Sequence, residues 1–79
     1  MPTVLRRGSY RIYFFSNEGN EPPHVHIDRE LYTAKFWLNP VSYASSRDFS
    51  HREINKIMIL LKNNSDVLLE EWREFFAKK

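Results

Sequence analysis

Hydrophobic and polar positions alternate along the first half of the chain and then shift to a helical spacing. Val4 to Arg7 and Tyr10 to Phe15 carry strand signals and flank Gly8-Ser9, a pair suited to a tight hairpin turn. The run Tyr-Arg-Ile-Tyr-Phe-Phe is aromatic and β-branched, as strands prefer. A polar loop, SNEGNEPP, follows, and its prolines cannot donate to a ladder. His24 to Asp28 and Tyr32 to Leu38 then predict a second hairpin around Arg29-Glu30-Leu31, a connection without glycine. Alternation assigns Tyr10, Ile12, Phe14, Val25, Ile27, Tyr32, Ala34, Phe36 and Leu38 to a core face. The opposite face collects Arg11, Tyr13, Phe15, His24, His26, Asp28, Thr33, Lys35 and Trp37, and is polar, basic and aromatic together.

After Asn39-Pro40 the period lengthens. Ser50 and Glu53 form the S-x-x-E pattern of a capping box, with Phe49 and Ile54 placed as a hydrophobic staple. Ile54, Ile57, Met58 and Leu61 follow the i, i+3, i+4, i+7 rule of an amphipathic helix. Asn63-Asn64-Ser65-Asp66 breaks it and supplies capping oxygens for another helix. The stripe of that second helix is Leu68, Leu69, Trp72, Phe75 and Phe76, and its solvated face carries Glu70, Glu71, Arg73 and Glu74. Strands followed by helices predict an α+β fold. The expected assembly is an antiparallel β-meander of about four strands, with two C-terminal helices packed on one face and the other face open. A single domain over residues 1–79 is expected, with a β-sheet half at 1–38 and a helical half at 49–77.

Composition narrows the chemistry. With no cysteine, neither disulfides nor thiolate metal sites can support so short a chain. Aromatic residues make up 15% of it and supply large apolar area instead. No stretch approaches the roughly 20 apolar residues of a membrane span. The start MPTVLRRGSY lacks the features of a signal peptide, so a cytoplasmic protein with no membrane association is expected. A net charge of +2 permits an acidic partner without demanding one.

The open face invites three readings. His24 and His26 on one strand lie about 6.5–7 Å apart, close enough to converge on a divalent metal such as zinc. Further ligands would have to come from Glu18, Glu21 or Asp28. The same two histidines, with Glu18, can serve as the acid and base of a ribonuclease, metal-independent or metal-assisted, while Arg11 and Lys35 meet the developing phosphorane charge. In the third reading the face binds without chemistry: Arg11, Tyr13, Lys35 and Trp37 suit single-stranded RNA, or the face is covered by a partner protein or a homodimer mate. The plain structural alternative has each histidine bonding a neighbouring carboxylate or loop carbonyl.

The blocks PTVLR, YRIYFFSNEGNEPPHVHI, AKFWLNPV, FSHREI and LLEEWREFF occur in that order. Together they resemble the small prokaryotic domain of unknown function 4160 family over essentially the whole chain, with Ser16 to His26 the most specific part. Glu18, Pro23, His24, His26, Lys35, Phe36 and Trp37 match recurring motif positions of that family. The resemblance implies a bacterial protein encoded beside another small protein, the arrangement that has prompted proposals of toxin–antitoxin modules. It brings no catalytic residues to carry over. The leading expectation is a small cytoplasmic component of such a two-gene system, binding its neighbour's protein or RNA through the open sheet face.

Overall fold

A computed structural model describes residues 3–15 and 20–77. Strands β1 (Thr3–Arg7), β2 (Tyr10–Tyr13), β3 (His24–Arg29), β4 (Tyr32–Leu38) and β5 (Val41–Arg47) pair antiparallel in chain order, and helices α1 (His51–Asn63) and α2 (Ser65–Ala77) follow. The α+β meander with two C-terminal helices is as the pattern predicts, with one strand more than expected. The added strand is β5, whose sequence VSYASSR lacks the clean alternation of a strand. The pairing explains why. Phe36 lies opposite Tyr43 while Lys35 lies opposite Ser45, so Ala44 is an extra residue in a β-bulge. The inward set passes from Val41 and Tyr43 to Ser46, and the phase changes mid-strand.

Two of the three two-residue hairpins turn on a residue with positive φ. Gly8 sits at +57°, which glycine adopts without steric penalty. Glu30 takes the same +57° between β3 and β4, where a side chain carries a cost. The Asn39-Pro40 peptide linking β4 to β5 is cis.

The predicted core face is buried along β2, β3 and β4 except at Tyr32, which is partly buried at the start of β4. Ile12, Val25, Ile27 and Phe36 are fully buried against Ile57 and Leu61 of α1 and Leu68 of α2. Burying a side chain of this size contributes about 1.5–3 kcal/mol. At the end of the sheet where β2 stops and β3 begins, α2 supplies a second, aromatic cluster. Phe14 lies with its ring centroid 5.2 Å from Trp72, 5.4 Å from Phe75 and 5.5 Å from Phe76.

The entry to α1 is fixed by a divided capping arrangement. Ser50 Oγ accepts from the Glu53 amide at 3.2 Å, as expected. The Glu53 carboxylate turns instead to the sheet, where it accepts from Arg29 Nε at 2.7 Å, Arg29 Nη2 at 2.8 Å and the Tyr10 hydroxyl at 2.7 Å. The Arg29 guanidinium also lies 4.8 Å from the Tyr32 ring centre. The hydrogen bonds from Arg29, then that from Tyr10, hold the Glu53 carboxyl below its ordinary range. Burial, then the hydrogen bond to Glu53, pushes the Tyr10 hydroxyl up to about 12. Between the helices, Asn64 Nδ2 donates to the Leu60 carbonyl at 2.8 Å and satisfies one group of the α1 terminus.

Candidate functional site

Strand register lays the open face out as three rows. Arg6, Arg11, Asp28, Thr33 and Arg47 align across all five strands. Tyr13, His26, Lys35 and Ser45 form the next row, and His24, Trp37 and Ser42 the third. Four interstrand spacings separate the ends of the first row, about 19 Å in all. It places Arg6, Arg11 and Arg47 against a single carboxylate, Asp28. Between the second row and the first lies a shallow depression of about 370 Å³, lined in part by His26, Thr33, Lys35, Ser45 and Arg47.

Several rings on this face are already packed. The Arg11 guanidinium lies 4.6 Å from the centre of the Tyr13 ring, and His26 stacks on Tyr13 at 5.4 Å with an interplanar angle of 24°. Phe15 meets His26 edge-on at 5.0 Å. Lys35 Nζ sits 4.7 Å from the Trp37 ring centre while donating to Glu21 Oε1 at 3.1 Å. The Tyr13 hydroxyl donates to the Asp28 carboxylate at 3.0 Å, and burial, then this hydrogen bond, pushes it up to about 12.

Two residues expected at the solvent are buried. Tyr13 is 6% exposed and His24 is 0% exposed. His24 points from the open-face register but stands at the first residue of β3, where α2 covers it. Its ring centroid lies 5.0 Å from Trp72, 5.6 Å from Trp37 and 5.5 Å from His26. Its Nδ1 is 2.9 Å from the Pro22 carbonyl, and because a carbonyl only accepts, Nδ1 carries the proton. This is the loop-carbonyl role that the structural alternative assigned to a histidine. Glu21 Oε1 lies 4.0 Å from the same nitrogen.

The structure therefore brings His26, Lys35, Trp37 and Arg11 together on one surface and sets His24 beneath its end. Glu18, the third catalytic candidate, lies outside the described residues. As zinc ligands, His24 and His26 stand nearly perpendicular, at 82° between ring planes. Among the described residues no cluster of three or more His, Cys, Asp or Glu side chains gathers for a metal ion. Zinc takes three or four protein ligands, so this pair alone is not such a site.

The open-face set read from alternation omits Arg6, Arg47 and Ser45. Arg6 was within reach: a two-residue turn at Gly8-Ser9 pairs Arg7 with Tyr10, and hence Arg6 with Arg11. Arg47 depends on the β5 bulge, for which the sequence carries no distinct signal.

No helix among the described residues is long and apolar enough to cross a membrane. No curated protein and no solved structure matches the chain. A family model matches residues 9–73, from the β1–β2 turn to the last turns of α2, leaving β1 outside the matched span. That span holds the histidine strand, the Lys35–Trp37 segment and the covering helix, and by it the chain belongs to DUF4160, a domain of unknown function.

Proposed function

We propose that the protein is a binding module that holds single-stranded RNA along the open face of its sheet, as a small cytoplasmic component of the two-gene arrangement its family resemblance implies. The carrying observation is the row of Arg6, Arg11 and Arg47 running across the strands, with Lys35 beside it. Guanidinium and ammonium groups at strand spacing meet successive phosphates of a flexible backbone. Tyr13 is already capped by Arg11 and His26, so base stacking falls to Phe15, which is 39% exposed, and to the accessible part of Trp37. The grip is thus chiefly electrostatic. Cleavage by a pair of histidines is less favoured, because His24 lies under Trp72 and leaves His26 as the imidazole at the face.

The test is titration of fluorescently labelled oligouridine by anisotropy at several salt concentrations. Contact with three or four phosphates gives a slope of log K against log salt of about −2 to −3, at about 0.7 per phosphate. Replacing Arg6 and Arg47 together with alanine should reduce the slope by about 1.4. A salt-independent response overturns the proposal. Steady loss of full-length oligonucleotide, abolished in His26→Ala, would replace it with the ribonuclease reading.

A further inference from the structure

The β5 bulge decides what stands at one end of the arginine row. Tyr43 lies opposite the buried Phe36, so strict alternation from Tyr43 sends Ser45 and Arg47 to the helix side of the sheet. The extra residue, Ala44, reverses that phase. Ser45 then pairs with Lys35 and Arg47 with Thr33, and both join the open face, where both are exposed. The irregularity thus sets a hydroxyl and a guanidinium beside an ammonium group. These side chains border the depression of about 370 Å³, and His26 closes it on the β3 side. Neighbouring strands stand about 4.8 Å apart, so Lys35 and Ser45 lie side by side, with Arg47 about 7 Å further along β5.

The two ends of the row differ in charge. Towards β1, Arg11 is paired in register with Asp28, the carboxylate of the row. Asp28 stands two strands away from Arg47, and the Tyr13 hydroxyl lies 3.0 and 3.1 Å from its two oxygens. Asp48 follows Arg47 beyond the end of β5. Glu21 accepts from Lys35 at 3.1 Å, which engages one of the three donors of that ammonium group. Past β5 the sheet has no further strand among the described residues, so an RNA strand laid along the row meets its last cation here.

We infer that the depression takes the terminal phosphate of the RNA strand, a monoester in place of an internal diester. The inference rests on the RNA reading and names the part of the strand held at this end. A terminal monoester carries a charge of about −1.5 to −2 at pH 7 and three strongly accepting oxygens. An internal diester carries a single charge. The planar fork of Arg47 meets two of the oxygens, Lys35 supplies a point charge, and the Ser45 hydroxyl donates to the third.

The test uses three oligouridines of equal length, each with an internal dye and titrated by anisotropy. One has a 5′-phosphate, one a 3′-phosphate, and one hydroxyls at both ends. The expected result is about ten-fold tighter binding of one phosphorylated strand than of the hydroxyl-ended strand, as one added charge-assisted contact gives. The end that gives the gain identifies the source of the phosphate. Arg47→Ala should reduce the ratio to about two-fold or less, and Ser45→Ala should lower it about three-fold. Arg6→Ala, about 19 Å away along the row, should weaken all three strands alike and keep the ratio. Circular-dichroism melts check that each variant is folded. Equal affinity for all three strands with a steep salt slope overturns this inference and leaves the RNA reading standing. A flat salt slope removes that reading and this inference with it. A phosphate gain that survives Arg47→Ala, or that disappears in Arg6→Ala, places the phosphate elsewhere and also overturns the inference.

Discussion

His24→Ala tests whether this histidine is part of the fold or part of the site. The imidazole is fully buried, and its Nδ1–H donates to the Pro22 carbonyl across 2.9 Å. Removing it forfeits edge and tilted contacts to Trp72 at 5.0 Å and Trp37 at 5.6 Å. Each such aromatic contact contributes about 0.5–1.5 kcal/mol. The lost hydrogen bond adds about 1 kcal/mol, and more if the carbonyl is left without a donor. The sum is about 2–4 kcal/mol, a large share of the roughly 4–12 kcal/mol expected for a domain of this size. A melting temperature lower by about 10–25 °C follows, at about 4–8 °C per kcal/mol. His24→Phe keeps the ring contacts and should recover about half the loss. His26→Ala removes a half-exposed ring and should cost no more than about 1.5 kcal/mol. Circular-dichroism melts and urea unfolding measure all three. A His24→Ala melt within about 3 °C of the parent, or one above that of His26→Ala, would refute the assignment. The same logic makes a combined replacement of both histidines uninformative about function, because unfolding and loss of the site would coincide.

Tyr10 and Tyr13 should ionise near pH 12 in an absorbance titration of the folded chain. Since both folded values lie above the ordinary value of about 10, the stability they contribute is complete below about pH 10 and is lost as pH rises towards 12. Asp28→Asn should bring the Tyr13 midpoint down; an unchanged midpoint would show that the hydrogen bond does not contribute. Glu53 has the opposite sign: its depressed carboxyl stabilises the fold above the ordinary carboxylate value of about 4.3, and that contribution is lost as pH falls through the lower folded value. Glu53→Gln should therefore lower the melting temperature at pH 7 and flatten the acid limb of stability against pH, which urea titrations at stepped pH would measure. Glu30→Gly should stabilise by up to about 1 kcal/mol, because glycine takes the observed φ of +57° without a steric penalty. A lower urea midpoint for that variant would mean that the Glu30 side chain contributes more than its conformation costs.

The sheet and helices were legible where one physical signal dominated. Alternation placed β2 to β4 because those strands bury one face along nearly their whole length, and a single polar intrusion at Val25, Ile27 or Phe36 would have broken the pattern. The cap at Ser50 was legible because its side chain bonds locally, three residues along the chain. The destination of Glu53 was not. Sequence pattern sends its carboxylate back to the cap, whereas the fold brings Arg29 and Tyr10, distant in sequence, to within 2.8 Å of it. β5 failed for a related reason: its serines and its bulge weaken the local signal, and pairing with β4 decides the outcome.

The site was legible as a face and illegible as a surface. Alternation correctly put His24, His26, Lys35 and Trp37 on the same side of the sheet, since period two is a property of the strand itself. Whether a residue on that side meets water depends on what lies over it, and for His24 the answer comes from Trp72, far along the chain on another element. A sheet face is uniform only in its interior. At its end, a helix packed on the opposite face can reach around and cover the last row, turning a candidate ligand into part of the core. His26, one row in, escapes α2 and meets Tyr13, Phe15 and the depression beside Lys35 instead. Two histidines one residue apart thus receive different roles from a single step in row. It is this step, rather than the H-x-H spacing, that favours binding by one imidazole and a row of cations over chemistry by two.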